Sequence, residues 1–179
     1  MKTLKIEVTK GEFIEITEAC FYSGVLANLD LHRANFEQFK VFNANFFKCN
    51  LRGSFFYQSV FTGSSFESAK VMTADFSEAE LINTNFKKIQ ASGTYFTNAN
   101  LANADFQGSR LFSCDFSGSN LVGANFKNCE IENCNFSHAI FDNETIFPDF
   151  MCPVSRESLL CVSVPSKRPI SHINKPPAQ

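Results

Sequence analysis

The feature that most limits how this chain can fold is a period of five. From Phe21 to Ile146 every fifth residue is apolar without a slip, and of those twenty-six positions fourteen are Phe and seven are Leu. Five residues advance an α-helix by about 500°, so successive apolar side chains would move about 140° around the cylinder and form no stripe. The spacing suits an extended chain that turns at a fixed interval. Two residues before each apolar position stands a small side chain, with exceptions at Leu29, Phe39, Ile89 and Glu144. Residues two apart share a face of extended backbone, so the large and small positions point inward together. The residue between them points outward, and in twelve cases it is Asn or Asp.

A second period, of twenty, sorts the apolar positions into four columns. One is Phe46, Phe66, Phe86, Phe106, Phe126, and another runs from Phe36 through Phe56, Phe76, Phe96 and Phe116 to Phe136. The two columns between them are mostly aliphatic, one from Leu31 through Leu51, Val71, Ala91 and Leu111 to Ile131, the other containing Val41, Phe61, Leu81, Leu101 and Leu121. Columns of like residues therefore lie opposite each other in a four-sided coil.

The runs Ala34-Asn35-Phe36, Ala74-Asp75-Phe76, Ala99-Asn100-Leu101, Ala104-Asp105-Phe106 and Ala124-Asn125-Phe126 closely resemble the pentapeptide-repeat consensus, A(D/N)LXX with Leu or Phe at its centre. The resemblance extends over roughly residues 19 to 146. It implies an all-β fold, a right-handed quadrilateral parallel β-helix of about six to seven coils with one pentapeptide per side. At a strand spacing of about 4.8 Å per coil this is a stiff rod roughly 31 Å long.

The solenoid is expected over residues 19–147. A β-helix ends in open strand edges and an apolar cross-section, both of which need covering. Residues 1–18 alternate at Leu4, Ile6 and Val8 and again from Phe13 to Thr17 around Lys10-Gly11, which predicts a cap: a hairpin or an irregular first coil. All six prolines fall between Pro148 and Pro177. Residues 148–164 are expected to fold over the last coil, and residues 165–179, with Lys167, Arg168 and Lys175, to form a flexible basic tail.

With 16 basic and 18 acidic side chains the net charge is -2, so no overall field draws the chain to nucleic acid or a membrane surface. Hydrophobic stretches are too short for a membrane span, and a cytoplasmic address is expected. Cys49, Cys114, Cys129 and Cys134 occupy small inward positions and are expected to be inert buried thiols. Cys114 and Cys134 stand one coil apart, a separation a disulfide can span, though a cytoplasmic address disfavours one. His32, His138 and His172 lie apart, and no phosphate loop or metal motif is present. No enzymatic activity, cofactor or metal is expected, and function is assigned to recognition by an outer wall.

Two surfaces stand out. The side centred on the Phe36–Phe136 column carries Glu37, Asp75, Glu78 and Asp115 with no Lys or Arg, and Phe55, Tyr57 and Tyr95 are its outward aromatics. The Phe46 and Leu51 sides are mildly basic. The fourth side is nearly uncharged and bears an outward apolar stripe, Tyr22, Phe42, Ile82 and Val122, which suits a homodimer or partner interface or a covering terminal segment. The expected function is a bacterial protein-protein interaction or regulatory module. The resemblance also implies an alternative, because family members include DNA mimics that bind type II topoisomerases such as DNA gyrase. Duplex DNA presents roughly 18 charges over this length, whereas the most acidic side here carries four.

Overall fold

The computed structural model describes residues 3–9, 12–17 and 26–149. The expected opening of the solenoid at residues 19–25, most of the 148–164 cap, and residues 165–179 lie outside the described residues. At the N-terminal end β1 (Leu4–Thr9) and β2 (Glu12–Ile16) pair antiparallel, Leu4 opposite Ile16 and Ile6 opposite Ile14, with an irregularity between Glu7 and Thr9. The register of Ile6 and Ile16 with the repeat favours an irregular first coil, but these two strands pair antiparallel instead.

From Leu26 onward the chain winds in coils of twenty residues. One wall reads Asn35, Phe55, Asp75, Tyr95, Asp115, Asn135, each bridged in parallel to the next. At one edge the bridging lengthens into three short strands, β3 (Gln90–Ser92), β4 (Arg110–Phe112) and β5 (Glu130–Glu132), which form a parallel sheet. This is the four-sided parallel β-helix expected from the period.

The corners explain why the period is five. In a typical corner Ala34 N–H donates to the Leu31 carbonyl at 3.1 Å and Arg33 has φ +59°, and Phe39 N–H with Phe36 O repeats the arrangement around Gln38. These are type II turns, whose third residue must be left-handed. Every fifth residue from Asn28 to His138 has positive φ, and Gly fills only six of these positions. Asn, which tolerates this region better than other residues with a side chain, is the commonest alternative.

The twelve outward Asn and Asp residues have one shared task. The side-chain oxygen of each accepts a hydrogen bond from the backbone N–H two residues on, at the turn's first corner position: Asp30, Asn35, Asn45, Asn50, Asp75, Asn85, Asn100, Asp105, Asp115, Asn120, Asn125 and Asn135 all do so. That N–H has no partner inside its own turn, and a short polar side chain supplies one. Several of the amides also donate to the coil below, as Asn50 does to Asp30 at 2.9 Å and Asn135 to Asp115 at 3.2 Å.

Inside, each Phe column is a stack. Phe86, Phe106 and Phe126 lie ring over ring with centroids 4.9 Å apart and planes within 8°. The two columns meet edge to face across the centre, Phe96 against Phe106 at 5.7 Å and 88°, an arrangement that the ring quadrupole favours. Most inward Ser, Thr and Cys donate to a carbonyl 23 residues back, Ser54 to Leu31, Thr94 to Val71, Cys129 to Phe106 and Cys134 to Leu111, while Ser59 and Ser119 donate within their own turn to Phe56 and Phe116. All buried side-chain polar atoms described are bonded, which is why these three residue types interchange with Ala there. Cys49, Cys114, Cys129 and Cys134 are buried free thiols, and burial pushes Cys49 up to about 11 and Cys129 up to about 12.

Two irregularities in the pattern have structural explanations. Ile89 at a small position is followed by Ala91 at a large one, and both are buried, 1% and 2% exposed. Large and small have exchanged places within one pentapeptide, and the volume is conserved. At the last coil the register does slip, contrary to the uninterrupted period. Asn125 pairs with Ile146, twenty-one residues on. Ile146 is 48% exposed, and Phe147 takes the inward place, stacked on Phe126 at 5.6 Å. The extra residue is absorbed by a turn at Asp142, whose Oδ1 accepts bonds from the N–H groups of Gly123, Glu144 and Thr145. Thr145, not Glu144, is the small inward residue of this coil, and its Oγ1 lies 2.9 Å from the Leu121 carbonyl.

Candidate interaction surface

The outward side chains of the Phe36–Phe136 side are positioned by the two devices just described, the bridge column and the type II corners. The bridge column places Phe55, Asp75, Tyr95 and Asp115 one above another at the coil spacing. The corner columns stand beside it, with Glu37 and Tyr57 in one and Gln58 and Glu78 in the next. Gln58 Nε2 donates to Glu78 Oε2 at 2.8 Å and to the Tyr57 hydroxyl at 3.1 Å, joining two adjacent coils. Partial loss of water raises the Tyr57 phenol above its ordinary value, and the negative charges of Glu78, Asp75 and Glu37 raise it further. Four of the seven candidate residues therefore share one electrostatic neighbourhood, and Phe55 and Tyr95 flank Asp75 in the adjoining column.

The carboxylates are not equivalent. Asp75 and Asp115 hold the N–H groups of Ser77 and Ser117, each at 2.9 Å. Their first job is to close a turn. Glu37 and Glu78 project from corner positions and close none. The aromatics are the departure from the rule. At Phe55 and Tyr95 the wall has a ring where Asn35, Asp75, Asp115 and Asn135 have a cap, and these rings are 41% and 51% exposed. Nothing in the packing of the core requires them, since Phe56 and Tyr95's neighbour Phe96 already fill the inward places completely. The cap is invisible to composition; the sequence signal was the break in the Asn/Asp column.

The apolar stripe is narrower than its sequence suggests. Phe42 is 50% exposed, but Ile82 and Val122 are half-buried against the coils above and below. The next position in the column is Asp142, and Tyr22 lies outside the described residues. The mildly basic walls neutralise part of their own charge, through Lys87 with Asp105 at 3.1 Å and Arg110 with Glu130 at 3.4 Å. A cavity of about 450 Å³ at the last coil, between Lys127, Cys129, Ile146 and Phe147, holds none of the candidate residues. No helix of the described residues is long and apolar enough to cross a membrane.

A flat-walled β-helix with stacked inner columns and an outward code of caps is a repeat solenoid. Its family follows from the comparison of sequences: the pentapeptide repeat region matches residues 29–106 and 65–136, and the chain belongs to the pentapeptide-repeat family. No curated protein matches it. Among solved structures it is similar to the pentapeptide repeat protein Rfr23 of the cyanobacterium Cyanothece 51142, at 15% identity and a TM-score of 0.53, covering 66% of this chain and 90% of that one. It also resembles HetL, a pentapeptide repeat protein involved in heterocyst differentiation regulation in a Nostoc cyanobacterium, at 21% identity and a TM-score of 0.40, covering 69% and 60%. A pentapeptide repeat protein of the Arabidopsis thaliana thylakoid lumen matches at 18% identity and a TM-score of 0.33, covering 82% and 94%.

Proposed function

We propose that this chain is a non-enzymatic interaction module that recognises a protein partner through the wall bearing Glu37, Phe55, Tyr57, Asp75, Glu78, Tyr95 and Asp115. The observation that carries the reading is the replacement of turn caps by half-exposed rings at Phe55 and Tyr95. A ring at such a position gives up a hydrogen bond and leaves apolar surface in water, so its use lies outside the fold. Rings and carboxylates held at fixed spacing on a rigid wall lose little freedom on binding, and aromatic residues are common anchors of protein interfaces.

Topoisomerase mimicry fits these observations less well. Of the four acidic groups on the wall, Asp75 and Asp115 are engaged with turns and Glu78 accepts from Gln58, which leaves few freely presented charges.

The test is a paired capture experiment. Wild type, Tyr57→Ala/Glu78→Lys, and Lys88→Glu on a different wall are immobilised and challenged with the same lysate, and retained proteins are identified by mass spectrometry. A protein held by wild type and Lys88→Glu but lost from the double variant supports the reading. Retention by all three removes this wall as the site. DNA supercoiling by gyrase, run with the same preparations, is expected to be unaffected.

A further inference from the structure

We propose that the acidic aromatic wall binds the opposite wall of a second copy of this chain, so that rods pack side by side through two different faces. The proposal rests on the reading of the acidic wall as a recognition surface and names one partner for it.

The two walls carry charges of opposite sign at matching intervals. The side opposite the Phe36–Phe136 column is the one whose bridge column is Asn45, Ser65, Asn85, Asp105 and Asn125. Carboxylates on the first wall form three groups, Glu37, Asp75 with Glu78, and Asp115, and amines on the second form three, Lys48, Lys87 with Lys88, and Lys127. Successive groups are about forty residues apart on both walls, which is two coils or about 10 Å. The coils between them match as well. There the first wall has the rings of Phe55, Tyr57 and Tyr95, and the second has Glu67 and Asp105. Asp149 lies beyond Lys127, past the end of the match.

The corners set the direction of the second rod. The chain runs in opposite directions along opposite walls of a coil, so the corner bearing Glu37 and Glu78 meets the corner bearing the lysines when the second rod is turned end for end. Glu37 then faces Lys127, Asp75 and Glu78 face Lys87 and Lys88, and Asp115 faces Lys48. Phe55 and Tyr57 fall opposite Asp105 and Tyr95 opposite Glu67, where a tyrosine hydroxyl can donate to a carboxylate. No like charges are opposed. Glu37, Glu78, Lys48, Lys88 and Lys127 are all exposed. The other two walls also lie opposite each other and do not match: Arg33, Arg52, Lys70 and Arg110, with Asp30, Glu130 and Glu132, would face Lys40, Glu80 and Asp142, four cations against two carboxylates.

Because the two faces of the contact differ, each added copy leaves one of each free, and the product is an open row rather than a closed dimer. A face one pentapeptide wide and about 24 Å long is small for a stable complex. The association is therefore weak and sensitive to salt.

The test is sedimentation at low salt from about 10 µM to about 1 mM protein, the range in which so small an interface dissociates. The weight-average mass of wild type is expected to rise to at least about 1.5 times that of the monomer, and about 0.5 M salt should return it to the monomer value. Glu37→Lys/Glu78→Lys reverses one wall and Lys88→Glu/Lys127→Glu the other; none of these four side chains caps a turn, and circular dichroism checks that the solenoid is intact. Each variant alone should stay monomeric. An equal mixture of the two should associate, because each supplies the wall that the other lacks. A monomeric wild type at every concentration overturns the proposal, as do variants that associate like wild type or a mixture that stays monomeric.

The capture experiment separates the two readings. If wild type stays monomeric but partner capture still depends on Tyr57 and Glu78, self-pairing fails and the recognition wall stands. If the mixture associates but capture ignores those residues, the walls pair with each other and the captured protein binds elsewhere.

Discussion

Phe55 and Phe56 are neighbours in sequence with opposite fates: Phe56 is fully buried, and Phe55 is 41% exposed. The same contrast recurs two coils later at Tyr95 and Phe96. The inward column is dictated by the fold, because each ring from Phe56 to Phe116 is stacked above, stacked below and met edge-on from the opposite wall. The outward column is shaped by the turns, which take an Asn or Asp cap at twelve positions and leave others, such as Lys40, Val60 and Ile140, uncapped. An aromatic residue in the first column is therefore evidence of structure, and one in the second is evidence of use. The distinction depends on one residue of register rather than on hydrophobicity.

The contrast breaks most severely from the inside. Phe106 lies mid-stack between Phe86 and Phe126, and Phe106→Ala should cost about 3–5 kcal/mol of unfolding free energy, measured by chemical denaturation. Because each coil contacts only its neighbours, the loss should open the solenoid on both sides of the cavity.

A more selective disturbance is available where large and small positions are exchanged. Ile89→Ala should cost about 2–4 kcal/mol by leaving a cavity beside Ala91. Ala91→Leu on its own should overpack the coil by about 1–3 kcal/mol. Combined, the two restore the pattern of the rest of the body, and the double variant should recover at least half of the summed loss. Strict additivity in the cycle would show that Ile89 and Ala91 do not compensate for each other.

The last coil tests how far the five-residue rule extends, and it also shows what was legible in the sequence. The body's columns could be read directly, because large and small inward positions alternate with outward ones at every step. The slip after Phe141 could not, because Ile146 and Phe147 are adjacent apolar residues and either satisfies a hydrophobic pattern. The clue was Glu144, too large and charged for a small inward position, which is filled instead by Thr145. The caps were equally hidden. The excess of outward Asn and Asp was plain, but its meaning requires knowing which N–H groups the turns leave unpaired. For the same reason Asp75 and Asp115 could be counted as surface charge but not recognised as structural groups.

At Asp142 that slip becomes testable. The N–H donors of Gly123, Thr145 and Glu144, with the Thr145 hydroxyl, hold its carboxyl below the ordinary carboxylate value of 3.8. A carboxyl depressed in the folded state stabilises the fold above its unfolded pKa, and the contribution is lost as pH falls through the folded value. Amide exchange around Ile140–Phe147 should thus accelerate only below that ordinary value, ahead of the body, and Asp142→Ala should show the same local opening at neutral pH. At Gly123, whose φ is +68°, a substitution would make the Asn103 side-chain amide swing aside, since an added Cβ would meet its Oδ1. Opening of the body and last coil together would mean that Asp142 does not hold the slip.

The smallest expected effect is the one that bears most directly on function. Phe55→Ala and Phe55→Asn both remove the exposed ring, but only Asn restores an acceptor for the N–H of Tyr57, as Asn35 provides for Glu37 one coil earlier. The difference between the two variants isolates the cap from the ring. Phe55→Asn should be the more stable by about 0.5–1 kcal/mol, the net value of a partly solvated hydrogen bond, and both should lose the captured partner. That outcome would show that the position gave up stability to present an aromatic residue. If Asn and Ala are equally stable, the ring was never in competition with a cap, and the departure at Phe55 and Tyr95 no longer distinguishes this wall from the others.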